Sequence, residues 1–421
     1  MILHFIGFIL YNIAIPLYGM LVKFASFFNP KAKLFIQGRK GIFNTISDKL
    51  INEKAERIWF HCASLGEFDQ ALPVIELIKK NNPEYKILVT FFSPSGYESR
   101  KNHKSADYIF YLPLDSFSNA KKFIQIVRPA KAFFVKYEFW YYFINELNRN
   151  NIPFYLLSCN FNSDHQFFKW YASFFRGILK RFEIIFAQNE TTQKLLNANG
   201  IQNVIVSKDT RFDKVYRHIH DLPLLPIIAL FKQNKLLITA GSSYEKEATL
   251  LHDFLLKSEQ NIKLILAPHE IDKAHIDFLL DLYKDKKTLL YSDANELNIQ
   301  HSDVLIINNI GLLSSIYRYS DIAFIGGGFG KKGLHNMLEA AAYGMPIIFG
   351  PKNIDRFPEA QMFIDNQVAF VINDMASCSI VLNKLINDSN KRIHISTIAR
   401  GIISENVGAS QIVYDRIFCN Q

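Results

Sequence analysis

Two glutamates, an arginine and a glycine-rich run are the residues whose types and spacing can do chemistry. In His61-Cys62-Ala63-Ser64-Leu65-Gly66-Glu67 a carboxylate stands at the start of a helical pattern, because Ala71, Val74, Ile75 and Ile78 follow at helical spacing. Gly66 permits close backbone approach at that turn. Glu67 can serve as a general base, or it can merely complement the helix macrodipole from the first turn. A second turn, Lys136-Tyr137-Glu138-Phe139-Trp140-Tyr141-Tyr142, sets Glu138 among large aromatics. Such surroundings raise a carboxylate's pKa or hold a sugar face, and a glutamate at the edge of an aromatic core fits the same residues. In Ser207-Lys208-Asp209-Thr210-Arg211-Phe212-Asp213, Arg211 or Lys208 can face a leaving phosphate; a surface loop with self-paired charges is the alternative.

The glycine-rich run is Phe324-Ile325-Gly326-Gly327-Gly328-Phe329-Gly330-Lys331-Lys332-Gly333-Leu334-His335-Asn336-Met337-Leu338-Glu339. It leads from a strand through glycines into a helix, so its backbone N–H groups can cradle a phosphate, or it forms a tight structural turn. It is not a Walker A loop, since no Gly-Lys-Ser/Thr occurs, and no second fingerprint supports a dinucleotide. Glu339 lies within reach of ribose hydroxyls. Gly241-Ser242-Ser243 and Ala267-Pro268-His269-Glu270 also follow strands on the same sheet edge, and together these segments outline a nucleotide pocket.

The elements that position these residues alternate short apolar runs with amphipathic stretches, the pattern of a parallel sheet wrapped by helices. Strands are expected at 57–63, 86–92, 108–112, 132–136, 154–158, 184–187 and 204–206. After a pause at His218 to Pro226, where Asp221, Pro223 and Pro226 suggest a linker, they resume at 235–239, 263–267, 288–291, 303–307, 321–325, 346–349 and 369–372. The expected architecture is α/β, with two Rossmann-like doubly wound domains in tandem facing a cleft that takes the ligand. Its divisions are an anchor with a basic segment over 1–40, a first domain over 41–217, a linker over 218–232 and a second domain over 233–421.

Composition sets the class. With 421 residues, 49% hydrophobic and 21% charged, disorder and a fibrous protein are excluded and a large core is expected. The net charge of +9 suits nucleic acid, an anionic membrane or a phosphorylated substrate alike. Cys62, Cys159, Cys378 and Cys419 form no CxxC pair and have no metal-ligand spacing, which favours free thiols in a reducing compartment and no zinc site. From Met1 to Val22 there is no Asp, Glu, Lys or Arg, a stretch long enough at about 1.5 Å per residue to just span a bilayer. Without a basic leader or a small-residue cleavage site, the segment is expected to stay attached. Lys23, Lys31, Lys33, Arg39 and Lys40 place the rest of the chain on the cytoplasmic side, beside anionic head groups. His4, Asn12 and Pro16 leave binding in the membrane plane open beside spanning.

These residues, in this order and spacing, resemble the 3-deoxy-D-manno-octulosonic acid (Kdo) transferases of lipopolysaccharide synthesis. The resemblance covers nearly the whole chain and rests on the apolar N-terminus, Ser64-Leu65-Gly66-Glu67, Pro113-x-Asp115, Arg128-Pro129, Glu138-Phe139-Trp140, Arg211-Phe212-Asp213 and Gly333-Leu334-His335-Asn336-Met337-Leu338-Glu339. It implies a GT-B glycosyltransferase of the inner membrane, whose first domain takes a lipid A precursor (lipid IVA) and whose second holds the donor CMP-Kdo. Glu67 matches the family's proton acceptor; Glu138 and Arg211 match its transition-state stabilisers. Pro268-His269, Ile310-Gly311-Leu312 and Asn336-Met337-Leu338-Glu339 match its CMP-binding segments. No cofactor, metal or nucleic-acid partner is implied. Displacement with inversion needs one base, and Arg211 with a helix beginning near Leu334 would offset the charge growing on CMP.

Three positions depart from the family pattern. His269 stands where Arg is usual, which makes a phosphate contact there sensitive to pH near 6.5. Leu312 replaces a Glu, and Arg211 replaces a Lys with different geometry. The competing functions are a GT-B enzyme that uses a UDP-sugar on a membrane-bound lipid precursor, separable by competition between CMP and UDP, and a noncatalytic membrane-tethered module that binds a nucleotide.

Overall fold

Runs of apolar residues with both faces covered make the strands of this chain. The six residues Arg57–Cys62 and the seven residues Ile262–Pro268 are buried throughout, as expected for parallel strands with helices on either side. The computed structural model describes residues 2–169, 171–219, 221–331 and 333–419. Met1, Lys332, Asn420 and Gln421, which fall in the expected anchor, glycine-rich run and second domain, lie outside the described residues, as do Trp170 and His220.

The first sheet comprises β1 (Arg57–Cys62), β2 (Lys86–Phe91), β3 (Tyr108–Tyr111), β4 (Pro129–Val135), β5 (Phe154–Cys159), β6 (Ile184–Ala187) and β7 (Val204–Val206), in the order β3-β2-β1-β4-β5-β6-β7. The second comprises β8 (Leu236–Ser243), β9 (Ile262–Pro268), β10 (Thr288–Leu290), β11 (Val304–Ile306), β12 (Ile322–Ile325), β13 (Ile347–Phe349) and β14 (Ala369–Val371), ordered β10-β11-β9-β8-β12-β13-β14. Strand periodicity sorts the first sheet's side chains onto two faces. Trp59, Leu88, Phe134 and Leu156 enter one core, while Ile58, Phe60, Val89, Phe133 and Leu157 enter the other. The strand order reverses between β1 and β4 in the first sheet and between β8 and β12 in the second, where β11 is also inserted between β9 and β10. Ligands of doubly wound sheets bind outside the strand ends at such switch points.

The chain forms two compact units, residues 1–214 with 406–421, and residues 215–405. Two expected boundaries differ from this division. Within 218–232, the helix Pro226–Lys232 buries Ile228 and Phe231 in the core of the second unit, so that part is not a free linker. The C-terminal stretch expected in the second domain belongs to the first unit instead. Its helix Ala409–Tyr414 packs on the helix Leu65–Asn81, Val413, Tyr414 and Ile417 join the core there, and Asp213 accepts hydrogen bonds from the N–H groups of Gly408 and Ser410, both at 2.6 Å.

The helix Ile2–Ala25 is long and apolar enough, by length and composition, to cross a membrane. One side rests on the first unit. The His4 ring packs on Phe174 with centroids 5.5 Å apart, the Tyr11 hydroxyl donates to Asp115, and the Tyr142 hydroxyl donates to Asn12. Phe5, Leu10, Ile13, Met20 and Leu21 are exposed elsewhere on it. Arg39, expected to face head groups, turns inward: its Nε donates to Leu112 O and one terminal nitrogen to Phe92 O, each at 2.8 Å, and its guanidinium lies 3.5 Å from the Phe35 ring centroid. Desolvation brings its pKa down to about 9. Lys23, Lys31, Lys33 and Lys40 remain exposed.

Candidate active site

The first unit's switch point is flanked by the turns after β1 and β4, and these carry the two glutamates. Ser64 caps the helix Leu65–Asn81, and the Glu67 carboxylate reaches back to accept from the N–H of Ala63 and, at 3.2 Å, of Ser64. The helix-capping alternative is therefore realised, yet capping does not account for the group's surroundings. Burial, then the nearby charge of Glu138, raise Glu67 from 4.5 to about 8, against an opposing pull from Lys136. Gly66 beside it has no positive φ, and a Cβ there would meet nothing within 4 Å. The fold does not require a glycine at this position.

Glu138 follows β4 after Lys136, which is held at φ +60° in the sparsely used left-handed region. Its carboxylate accepts from Trp140 Nε1 at 2.6 Å and lies 3.1 Å from His61 Nε2. His61 is fully buried on β1, and its Nδ1 is 2.9 Å from Thr90 Oγ1, which also accepts from Trp59 Nε1 at 2.8 Å. By sequence His61 stands out only as the first residue of the Glu67 turn. The available signal was a histidine inside an otherwise apolar strand end.

Arg211 lies in the first turn of the helix Thr210–His218 and pairs with Asp209 through Nε at 2.9 Å and a terminal nitrogen at 2.7 Å. The self-paired loop is thus present. The segment is also pinned to the helix Leu65–Asn81, because Thr210 Oγ1 donates to Gln70 O at 2.6 Å and Lys214 Nζ meets Asp69 at 2.9 Å.

At the second unit's switch point the turns after β8 and β12 border a cavity of about 690 Å³, lined among others by Tyr244, Glu247, Glu270, Gly327, Lys331 and Lys352. The glycines are here for close packing. A Cβ on Gly326 would lie 2.0 Å from Ser242 O, one on Gly327 (φ +93°) 2.0 Å from Gly333 O, and one on Gly328 2.5 Å from Gly350 N. The N–H groups are used internally as well, Gly326 donating to Gly241 O at 2.9 Å and Gly327 to the buried Glu247 at 2.8 Å. For these residues the phosphate cradle gives way to the tight turn. The following helix begins at Leu338, not near Leu334, because Gly333 takes φ +88° and the stretch to Met337 stays irregular.

The segments expected to bind the nucleotide sit as follows. Pro268 closes β9 and is buried, and His269 after it is exposed. Ile310 and Gly311 are exposed, with Leu312 half-buried, ahead of the short helix Leu313–Ile316. Glu339 accepts from Ser314 Oγ and, at 3.2 Å, from Asn336 Nδ2, which ties the 310–314 and 336–339 segments together. Met337 and Leu338 bury their side chains fully in the core, leaving only backbone to offer a ligand. His269 joins a cluster absent from the sequence reading: its ring is 4.4 Å from that of His335 and 5.2 Å from Tyr244, whose hydroxyl is 2.9 Å from His335 Nε2. Among the described residues no group of three or more His, Cys, Asp or Glu could hold a metal ion.

Residues 36–214 match the family described as 3-deoxy-D-manno-octulosonic-acid transferase (kdotransferase). The 3-deoxy-D-manno-octulosonic acid transferase of Haemophilus influenzae is 29% identical over 85% of this chain and 86% of its own length. That of Aquifex aeolicus is 28% identical over 70% of this chain and 76% of its own. Among solved structures, the UDP-GlcNAc 2-epimerase of Neisseria meningitidis superposes with a TM-score of 0.61 at 15% identity, covering 86% of this chain and all of the other. MurG of Acinetobacter baumannii gives 0.56 at 12% identity, covering 86% of this chain and 99% of the other. At such identities these two likenesses speak for the fold alone.

Proposed function

Because this chain belongs to the Kdo transferases, glycosyltransferases of the GT-B fold that act in lipopolysaccharide synthesis, we propose that it moves Kdo from CMP-Kdo to a lipid A precursor and releases CMP. The observation that carries the mechanism is the pairing of a desolvated carboxylate, Glu67 at about pKa 8, with a neighbouring glycine that the fold leaves open. A base is most effective when its pKa lies near the working pH. As the acceptor hydroxyl attacks the anomeric carbon, Glu67 takes its proton; the bond from that carbon to the CMP oxygen breaks, and the configuration inverts without a covalent enzyme intermediate.

Glu138 places negative charge beside the anomeric centre, where positive charge grows as CMP departs. Arg211, oriented by Asp209, supplies positive charge to the leaving phosphate without a metal ion. The exposed apolar side of the N-terminal helix, with Lys23, Lys31, Lys33 and Lys40, would hold the enzyme on the cytoplasmic face of the inner membrane, where a lipid acceptor is presented.

The test is mass spectrometry of lipid IVA after incubation with the enzyme and CMP-Kdo generated in place, with wild type and Glu67→Gln run together. Stepwise gains of one Kdo mass with wild type only are expected. No gain with wild type, from a folded protein, would reject this donor and acceptor and favour a UDP-sugar transferase.

A further inference from the structure

A fully buried histidine beside a carboxylate is placed by its other contacts, and in this chain they favour a proton on Nε2. Trp59 Nε1 can only donate, and it donates to Thr90 Oγ1 at 2.8 Å. The Thr90 hydroxyl is then free to give its single proton to His61 Nδ1, 2.9 Å away. A neutral His61 that accepts at Nδ1 carries its hydrogen on Nε2, and a charged one carries it there as well. Nε2 faces Glu138 Oε2 at 3.1 Å, and Trp140 Nε1, which is 2.9 Å from Nε2, lies nearer to that same oxygen, at 2.6 Å, and donates to it. Two donors from separate elements thus converge on one carboxylate oxygen, and one of them is set by a relay that begins at Trp59.

We propose that His61 is a positioning residue: through Nε2–H it fixes the orientation and negative charge of Glu138 at the switch point between β1 and β4. The proposal rests on the transferase chemistry given above, in which Glu138 offsets developing positive charge and Glu67 is the base. The donor is rigidly held. His61 is fully buried, the Phe134 ring packs against it at 6.1 Å, and Trp140 packs from the other side at 6.2 Å. Fixing a donor by a relay of this kind is how imidazole tautomers are set in catalytic sites generally.

A consequence reaches Glu67. The charged and titratable groups around the pair are Glu67 at the helix start, Lys136 on the turn before Glu138, and the Cys62 thiol, which burial and the two glutamates hold well above its ordinary value and therefore neutral. Glu138's negative charge is one of the forces that raise Glu67. If His61 no longer donates, the Glu138 carboxylate is no longer held beside Glu67, and Glu67 ionises at lower pH.

The test uses the full-length enzyme in detergent with His61→Ala and His61→Gln, the latter keeping an N–H donor. His61→Ala should lose about 100-fold in turnover, as for a misplaced reacting group, and its acid limb should move to lower pH; His61→Gln should recover roughly tenfold of the loss and restore the limb. Loss of turnover with an unmoved limb and no recovery in Gln would reduce His61 to a packing residue and overturn the proposal. A second readout needs no activity: carbon-13 NMR titration of glutamate-labelled protein, assigned with Glu67→Gln and Glu138→Gln. In His61→Ala it should show Glu67 shifted down. An unchanged Glu67 titration would overturn the proposal even if His61→Ala proved too unstable to turn over, since Thr90→Val, which removes the proton given to Nδ1, can be titrated the same way. Failure of wild type to transfer Kdo would reject the assigned reaction, and the carboxyl titration would still decide the role of His61.

Discussion

Replacing Glu67 by glutamine separates its capping contacts from the base role proposed for it. The wild-type carboxylate accepts from the N–H groups of Ala63 and Ser64, and a glutamine amide oxygen can do the same at this position of a capping box. Alanine cannot, and would cost about 0.5–2 kcal/mol of helix stability. Glu67→Gln should therefore fold like wild type and lose only the base, a fall of about 10²–10⁴ in turnover, or roughly 3–5 kcal/mol of barrier. The pH dependence follows from the raised pKa. With titration near 8, about 10% of wild type carries the active carboxylate at pH 7 and about 90% at pH 9, so the rate should climb roughly ninefold and then level off. The stability has the opposite sign: the native state keeps a proton that the unfolded chain releases above about 4.5, so this contribution is full below 4.5 and declines as pH rises toward 8. The glutamine variant should lack that decline in denaturant melts and show a flat rate profile. A glutamine variant that turns over within about tenfold of wild type at pH 8, or that keeps an acid limb there, would refute Glu67 as the base.

Gly66→Ala places its methyl in open space within the first turn of a helix, so the thermal midpoint should hold or rise while transfer falls; wild-type kinetics in this variant would mean that no substrate comes close there. Gly327→Ala should do the reverse through its φ of +93° and a clash at 2.0 Å with Gly333 O, costing more than about 1–3 kcal/mol; an unchanged urea midpoint would contradict the packing role. Asp115→Asn keeps the shape of a buried group that accepts from Tyr142 N at 2.9 Å, Phe143 N at 3.1 Å and the Tyr11 hydroxyl. An amide in its place should cost about 1–3 kcal/mol and loosen the N-terminal helix from the first unit, read as faster proteolysis within residues 2–25; equal protection would show that Tyr11 and Asp115 do not hold it.

All fourteen strands were legible because each is a short apolar run closed by turn residues, and only their ends moved. β4 starts at Pro129, three residues ahead of the expected Ala132, and β8 runs on to Ser243. The polar residues that weakened a spanning helix, His4 and Asn12, have a reason that no local pattern carries: they meet Phe174 and Tyr142 across more than a hundred residues of chain. Asp213 was read as part of a phosphate-facing loop, and its carboxylate instead holds the returning C-terminus. Non-local contacts of this kind leave no periodicity. Arg39 was counted as basic surface for the same reason, since its partners Phe92 and Leu112 belong to another part of the first unit.

Glycine shows how far residue type alone carries function. Five glycines in eight positions made the run from Gly326 the strongest local signal, yet Gly326, Gly327 and Gly328 are required by backbone passing within about 2.0–2.5 Å of where a Cβ would be. Gly66, a single glycine in the turn after β1, is required by nothing in the fold. A position whose conformation any residue could adopt, and whose side-chain space is empty, gains nothing for stability from glycine, which weakens helices relative to alanine. Its use is then to be sought in what approaches it from outside. At Gly66 that approach leads to a carboxylate kept protonated to about pH 8 by burial and by a second glutamate.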